Sequence, residues 1–355
     1  MKTLAAIALL LLAGGPQDKK SRPFHLGFTP IPHDMAPEAV AEMQKFMAEQ
    51  SDLVSQKLDE GVPWPEALGV TPYDPGLDKK IEEASWRPEG KKLLLSTTPL
   101  NGAKDGIAAH RGVLPNLPLP GSWASKDFDD PGVARAYLVW CRELIRRARP
   151  DYFVYVMEGI VQSKNQARWK KFVPFVRDIY MALKKENPDL PLLITVSLEN
   201  YYENEAQNRA ALRLLLPYSD YVTVTALPNM RESNPAKLPK DYFSRVAAVG
   251  GGKPFAVAET AFLGEDLTIL GFERAGKAAW QDDYLRGMLD DCAKLNAKFV
   301  VWMVPRDFDL LYEKFLANTP LDFIRIVKDT GLLDGMGKPR KAFETWQSWM
   351  KAPRK

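Results

Sequence analysis

Short apolar segments recur along the chain, separated by longer segments whose apolar residues fall at steps of three and four. The short segments are rich in β-branched and aromatic residues and are almost continuously hydrophobic, which is typical of parallel strands covered on both faces. They predict eight strands, at residues 24–29, 52–57, 92–97, 152–158, 192–197, 221–225, 255–259 and 299–302.

The intervening segments predict amphipathic helices. Between the fourth and fifth predicted strands, Trp169, Phe172, Val176 and Ile179 fall on one helical face. Pro131 predicts the start of another helix, because proline suits the first helical position and acidic residues precede it.

Eight strands alternating with helices predict an α/β protein, a single-domain (β/α)8 TIM barrel over residues 21–355. A doubly wound open sheet has the same alternation. Nucleotide-binding open sheets carry a glycine-rich turn after the first strand, whereas here that strand continues into Thr29-Pro30-Ile31-Pro32.

The N-terminus has the pattern of a targeting segment. Lys2 precedes an unbroken apolar run at residues 4–13, and two glycines follow the run. The run is too short to span a bilayer as a helix, so residues 1–20 are predicted to be a cleaved signal peptide and a short linker. An uncleaved anchor or a buried strand is the alternative. The mature protein is then expected to be secreted or periplasmic, without a membrane anchor.

Charge and metal-ligand content exclude several classes of protein. The chain has 48 basic and 45 acidic residues, so it lacks the one-sided positive field that nucleic-acid binding needs. Two cysteines exclude a disulfide scaffold, and three scattered histidines give no metal-ligand spacing. No cofactor, no metal and no nucleic-acid partner are therefore predicted. Cys141 and Cys292 lie on helical apolar stripes and are predicted to be buried.

Glu158 and Glu259 end the fourth and seventh predicted strands. Strand alternation places each glutamate on the side of the residues two and four positions before it, which are Val156 and Val154, and Val257 and Phe255. If those sides face the barrel interior, both carboxylates emerge at its C-terminal rim. Two carboxyl groups in one pocket can divide into a proton donor and a nucleophile, the chemistry of glycosidic bond cleavage. The alternative is that each glutamate pairs with a basic residue at its strand end.

Five further residues are candidates for substrate binding. Glu199 follows the fifth strand and either contacts a sugar hydroxyl or is a solvated loop charge. Trp302 either stacks on a sugar ring or belongs to the core, and Trp64 is a candidate for a further stacking platform. Asp34 and Asn101 follow the first and third strands, on the expected active face.

Several motifs resemble those of clan A glycoside hydrolases. Residues 253–260 resemble the seventh strand of that clan, residues 297–302 the eighth, and residues 331–339 a closing "GLLD-x-x-GKP" run. The runs at 27–30 and 61–64 resemble exported barrel proteins related to the arabinogalactan endo-β-1,4-galactanases. The resemblance extends from roughly residue 23 to the C-terminus. It implies a (β/α)8 barrel, a carbohydrate substrate, Glu259 as the nucleophile and Glu158 as the acid/base.

Three residues depart from the clan pattern. Met157 stands where an asparagine usually precedes the acid/base, Leu227 where a tyrosine often ends the sixth strand, and Ala261 where a glycine is more usual. The predicted function is an exported, retaining glycosidase that uses two glutamates. A non-catalytic carbohydrate-binding barrel is the alternative, and a hydrolase or lyase of another kind also stays open. The sequence specifies neither the sugar nor the oligomeric state.

Overall fold

A computed structural model of the protein describes residues 21–112, 114–269, 272–316 and 322–355. Eight parallel strands form a closed barrel in which each strand pairs with the next along the chain and the last pairs with the first. Their bounds are β1 His25–Phe28, β2 Leu53–Leu58, β3 Lys92–Thr97, β4 Tyr152–Val156, β5 Leu192–Ser197, β6 Val222–Ala226, β7 Phe255–Thr260 and β8 Phe299–Trp302.

Helices follow the strands and surround the barrel. They are α1 Pro37–Gln50, α2 Trp64–Ala67, α3 Pro75–Glu83, α4 Pro131–Ala148, α5 Gln166–Glu186, α6 Leu198–Glu203, α7 Glu205–Leu215, α8 Ser244–Ala247, α9 Ala278–Lys294, α10 Asp309–Leu311, α11 Asp322–Lys328 and α12 Lys341–Lys351. A two-stranded antiparallel hairpin, Leu267–Ile269 with Phe272–Arg274, lies in the loop after β7.

The predicted (β/α)8 barrel is confirmed. All eight predicted strands are present, and the bounds of β3, β5 and β8 match exactly. The helix predicted to begin at Pro131 does so, because the Asp130 carboxylate accepts a hydrogen bond from the Gly132 amide at 2.7 Å. Among the described residues, no helix is long and apolar enough to cross a membrane. The predicted signal peptide lies outside the described residues.

The barrel interior changes in character from its N-terminal to its C-terminal end. Aromatic rings close the N-terminal end, where Tyr152 packs on His25, Tyr221 and Phe299. An aliphatic layer lies above them: Leu53, Leu94, Val154, Leu193, Ala256, Ala258 and Val301. Strand alternation then places hydroxyl side chains inside, those of Ser55, Ser96, Thr195 and Thr223. The interior thus becomes polar toward the C-terminal ends of the strands.

The predicted alternation in β4 and β7 is wrong. Ala256 and Ala258 face the interior, whereas Phe255 and Val257 pack in the layer between strands and helices. In β4, Val154 and Met157 face the interior and Val156 does not. The strand pairings shift register between Val154 and Val156, and again where β6 and β8 pair with β7. Such β-bulges insert an extra residue and reverse the facing of everything after it.

Trp302 and Trp64 belong to the hydrophobic core, so the core alternative holds for Trp302 and the expectation that Trp64 is a stacking platform is wrong. Both side chains are completely buried. Trp302 lies on the helix-facing side of β8 and donates a hydrogen bond to the Thr330 carbonyl at 2.9 Å. Trp64 donates to the Ala108 carbonyl at 2.8 Å and stacks on Trp123. Neither ring offers a face to a sugar.

The two cysteines are free thiols in the same layer. Cys141 on α4 and Cys292 on α9 are completely buried among apolar side chains. The prediction that they act as small buried hydrophobes is confirmed.

The burial of Trp302 predicts a large cost of truncation. We expect Trp302→Ala to lower the free energy of unfolding by about 3–5 kcal/mol, because it removes core contacts and leaves a cavity. Urea denaturation measures the loss. Trp280→Ala is a matched control, since that half-buried ring lies on α9 beneath the Lys277 ammonium, and we expect a loss of about 1 kcal/mol. Equal small losses in both variants would contradict the assignment of Trp302 to the core.

Candidate active site

Glu259 and Lys57 pair across the C-terminal end of the barrel. The Nζ of Lys57, on β2, donates a hydrogen bond to Oε2 of Glu259, on β7. Strands β2 and β7 are separated by β1 and β8 on the sheet. Both side chains must therefore project into the barrel opening to meet. The Glu259 side chain is only 8% exposed, so Lys57 compensates a charge that water hardly reaches.

Glu158 enters the same opening from the end of β4. Its backbone has a left-handed φ of 56°, and its amide donates to the Thr195 hydroxyl at 3.0 Å. Its Oε1 accepts from the hydroxyl of Thr225, on β6, at 3.4 Å. Thr225 is in turn the register partner of Glu259 on the neighbouring strand. Thr225 thus stands between the two glutamates. We call this opening, with Lys57, Glu158, Thr225 and Glu259, the mouth.

The two glutamates have different electrostatic surroundings. Burial raises the pKa of Glu158 above its usual value, the charge of Lys104 opposes that rise, and the charge of Glu259 adds to it. No described basic residue forms a salt bridge with Glu158. Burial lowers the pKa of Lys57, but the negative charges of Glu259 and Asp59 more than offset burial, and the pKa lies above its usual value. Lys57 is therefore a fixed cation at neutral pH.

Glu199 is held firmly beside the mouth. It lies in the first turn of helix α6, and its Oε1 accepts hydrogen bonds from the Leu227 amide at 2.9 Å and the Tyr242 hydroxyl at 2.7 Å. Its Oε2 accepts from the Ser197 hydroxyl at 3.3 Å. Burial raises the pKa of Glu199, and these donors oppose the rise. The interpretation of Glu199 as a solvated loop charge is therefore wrong.

Asn101 shapes a turn. Its Oδ1 accepts from the Asp105 amide at 3.0 Å, and its Nδ2 donates to the Asp105 carboxylate at 2.7 Å. This turn, between Leu100 and Ile107, carries Lys104 in a left-handed conformation with φ 55°. The Lys104 carbonyl accepts a hydrogen bond from Gln162, in the 3-10 turn that follows Glu158. Asn101 therefore helps to fix the turn that carries Lys104, whose charge acts on Glu158.

Asp34 and the three residues that depart from the clan pattern make their contacts with nearby groups. Asp34 forms an ion pair with Lys314 at 2.6 Å and accepts from the Met35 amide. Met157 lies in the aliphatic interior, and Ala261 is completely buried against Met303 and its neighbours. Leu227 uses its main chain to hold Glu199. No described contact joins Asp34 to the glutamates of the mouth.

Lys57 and Lys104 act on the charges of Glu259 and Glu158, and the sequence analysis missed both lysines. Lys57 ends the second predicted strand on the interior side, so a barrel interpretation already contained the signal for it. Lys104 lies in an irregular turn, where no periodicity reveals the direction of a side chain. No group of three His, Cys, Asp or Glu residues in the described ranges is arranged to hold a metal ion.

Known structures with a similar fold include several glycoside hydrolases. The exo-β-1,4-mannosidase Op5Man5 from Opitutaceae bacterium strain TAV5 is 17% identical, with a TM-score of 0.64 over 92% of this chain and 59% of that chain. The GH53 catalytic domain of Ignisphaera aggregans is 15% identical, with a TM-score of 0.56 over 87% of each chain. A psychrophilic family 10 endo-β-1,4-xylanase is 10% identical, with a TM-score of 0.60 over 92% of this chain and 96% of that chain.

The fold is a (β/α)8 barrel similar to those of these glycoside hydrolases. The resemblance noted in the sequence is confirmed at the level of architecture, and at 10–17% identity the likeness concerns the fold alone. The chain spans 59% of the mannosidase and 35% of a β-glucuronidase from Bacteroides uniformis, so it matches only part of those enzymes. No protein-family model matches the chain, and no curated protein matches it significantly.

The pairing of Lys57 with Glu259 predicts a pH-dependent loss of stability. Lys57→Met leaves a buried carboxylate without a counter-charge, and we expect a loss of about 3 kcal/mol in unfolding free energy at pH 7. In the parent protein the raised pKa of Lys57 keeps the lysine charged at neutral pH, so the loss should be full there and should shrink at strongly alkaline pH, where Lys57 becomes neutral.

Urea denaturation at several pH values measures this effect. Lys92→Met is the matched control, because Lys92 pairs with Asp151 at the surface, and we expect a change below about 1 kcal/mol. Adding Glu259→Gln to Lys57→Met should recover most of the lost unfolding free energy at pH 7. A loss independent of pH, or unrelieved in the double variant, would contradict the assigned charge compensation.

Proposed function

We propose that the protein is an exported glycoside hydrolase that cleaves a glycosidic bond with retention of configuration. The observation that carries this proposal is the arrangement of Glu158 and Glu259 around Thr225 at the C-terminal end of the barrel. Active sites of (β/α)8 enzymes lie at that end. The similarity of the fold to glycoside hydrolases supports a carbohydrate substrate.

The surroundings of the two carboxyl groups suit two different roles. Lys57 compensates the charge of Glu259, which favours an ionised nucleophile. The raised pKa of Glu158 favours a carboxyl group that still carries a proton when the substrate binds. Such a division is the one that retaining glycosidases require.

The reaction then has two steps. Glu158 donates its proton to the glycosidic oxygen as the carboxylate of Glu259 forms a bond to the anomeric carbon and the leaving alcohol departs. Glu158, now ionised, takes a proton from water, whose oxygen attacks the anomeric carbon and releases Glu259. The Thr225 hydroxyl, which contacts Glu158 and neighbours Glu259, holds the acid/base in position throughout.

Export is proposed from the N-terminal sequence. The charged start, the apolar run at residues 4–13 and the glycines after it are what a signal peptide requires. Secretion of the full chain with loss of its first residues, measured by mass spectrometry of the exported protein, tests this part.

A non-catalytic carbohydrate-binding barrel is the second candidate. Two observations favour it: Lys57 occupies an oxygen of the candidate nucleophile, and Met157 replaces a polar contact near the acid/base with an apolar side chain. In that function the glutamates would bind sugar hydroxyls without bond cleavage. Loss of catalysis with retained sugar binding distinguishes it from the enzyme.

The decisive experiment compares the protein with Glu259→Gln on a panel of polysaccharides and aryl glycosides. We expect hydrolysis by the parent protein and a loss of about 10⁴-fold in kcat for the variant, because the nucleophile is removed. Glu203→Gln is the matched control, since that glutamate lies at the exposed end of α6 and pairs with Lys164. Sugar binding without hydrolysis by either protein would overturn the enzyme and support the binding barrel.

Glu158→Ala tests the second role on the same substrates. We expect glycosides with poor leaving groups to lose about 10²–10⁴-fold in rate, because they need proton donation. Activated aryl glycosides should lose less in the first step, and added azide should speed turnover because it needs no general base. A variant insensitive to both leaving group and azide would contradict the acid/base role.

A further inference from the structure

Two lysines act on the glutamates of the mouth, and only one of them has an acidic partner among the described residues. Lys57 is neutralised by Glu259, with which it forms a direct ion pair. Lys104 forms no salt bridge with any residue in the described ranges, although it is half-buried. Its nearest acidic neighbour in sequence, Asp105, is instead hydrogen-bonded to Asn101. Among the described residues, Lys104 is therefore a cation that acts on Glu158 and has no fixed counter-charge.

Hydrogen bonds fix the backbone of Lys104. The Lys104 amide donates to the Asn101 carbonyl at 3.0 Å, and its carbonyl accepts from Gln162. Gln162 is almost fully buried, four residues after Glu158. A left-handed φ at a non-glycine residue costs free energy, so these hydrogen bonds hold a conformation that the residue does not prefer.

We propose that Lys104 binds an anionic substituent of the sugar substrate, a carboxylate or a sulfate ester, beside Glu158. The proposal rests on the glycoside hydrolase function argued above and names its substrate class. A lysine ammonium is a compact point charge that pairs with either oxyanion. The substrate class is thus an acidic saccharide, a uronide or a sulfated sugar.

The negative charge that Lys104 faces changes during the proposed catalytic cycle. While Glu158 carries the proton that it will donate, it gives Lys104 no negative charge to face. A neutral sugar that covers the mouth would then remove water from an unpaired ammonium, which is costly. An acidic sugar supplies the missing partner and forms a charge-assisted hydrogen bond.

Paired substrates that differ only at C6 test the proposal. Aryl β-glucuronides and β-galacturonides are compared with the matching glucosides and galactosides, and with their 6-sulfates. We expect kcat/KM to be about 10- to 100-fold higher for at least one acidic substrate than for its neutral counterpart. The carboxylate and sulfate arms identify which oxyanion is preferred. A preference for the neutral member in every pair would overturn the inference and leave the glycosidase standing.

Substitution of the lysine separates binding from an effect on Glu158. Lys104→Met should lower kcat/KM about 10- to 100-fold more for the acidic substrate than for its neutral counterpart, mainly through KM. Lys104→Arg should recover part of the loss. Lys164→Met is the matched control, because Lys164 ends the 3-10 turn that follows Glu158 and pairs with Glu203 at the surface. It should change kcat/KM for neither substrate. Equal losses on both substrates, with a displaced pH profile, would show that Lys104 acts only through Glu158 and would overturn the inference.

Binding measurements test the inference even where the protein hydrolyses none of the substrates. Calorimetry with glucuronate and galacturonate oligosaccharides, and with neutral oligosaccharides of the same length, is done on the parent protein and on Lys104→Met. Acidic binding that weakens at least tenfold in the variant would support the inference even where the glycosidase proposal fails. Neutral binding alone, or no binding of acidic saccharides, would overturn it.

Discussion

The mouth depends on the compensation of one buried charge. Glu259 lies at the end of an apolar strand, where an isolated carboxylate would be strongly disfavoured. Lys57 reaches it from β2, so two strands that are not neighbours are joined across the barrel opening. Among the residues that the structure describes, this pair leaves Glu158 without a salt bridge to a cation and Lys104 without one to an acidic residue. The chemical asymmetry of the site follows from that division.

Much of the architecture could be predicted from the chain alone. The strands are continuous apolar segments because both of their faces are covered, and that pattern found all eight. Asp130 and Pro131 fixed the start of α4 because capping is a local property. The positions of Glu158 and Glu259 at strand ends were also evident, since they follow directly from where the apolar segments stop.

The alternation along the sequence could not predict which side of the sheet the residues before those glutamates occupy. A bulge adds one residue to one strand, and no residue type in β4 or β7 marks it, so the alternation assigned Phe255 and Val257 to the wrong side. Trp302 was ambiguous for the same reason, because its side depends on the register of β8. The partners of Glu199 and Lys104 come from distant or irregular segments, and such contacts leave no periodic trace in the sequence.

The left-handed backbone of Glu158 places stability and activity in opposition at a single residue. A glycine or an asparagine accepts that conformation more readily than a glutamate. A substitution that relaxes the backbone there would favour the folded state and at the same time remove the carboxyl group from the mouth. Random mutation filtered only for folding would therefore tend to replace this glutamate. Selection for thermal stability alone is a poor guide to improving this protein as a catalyst.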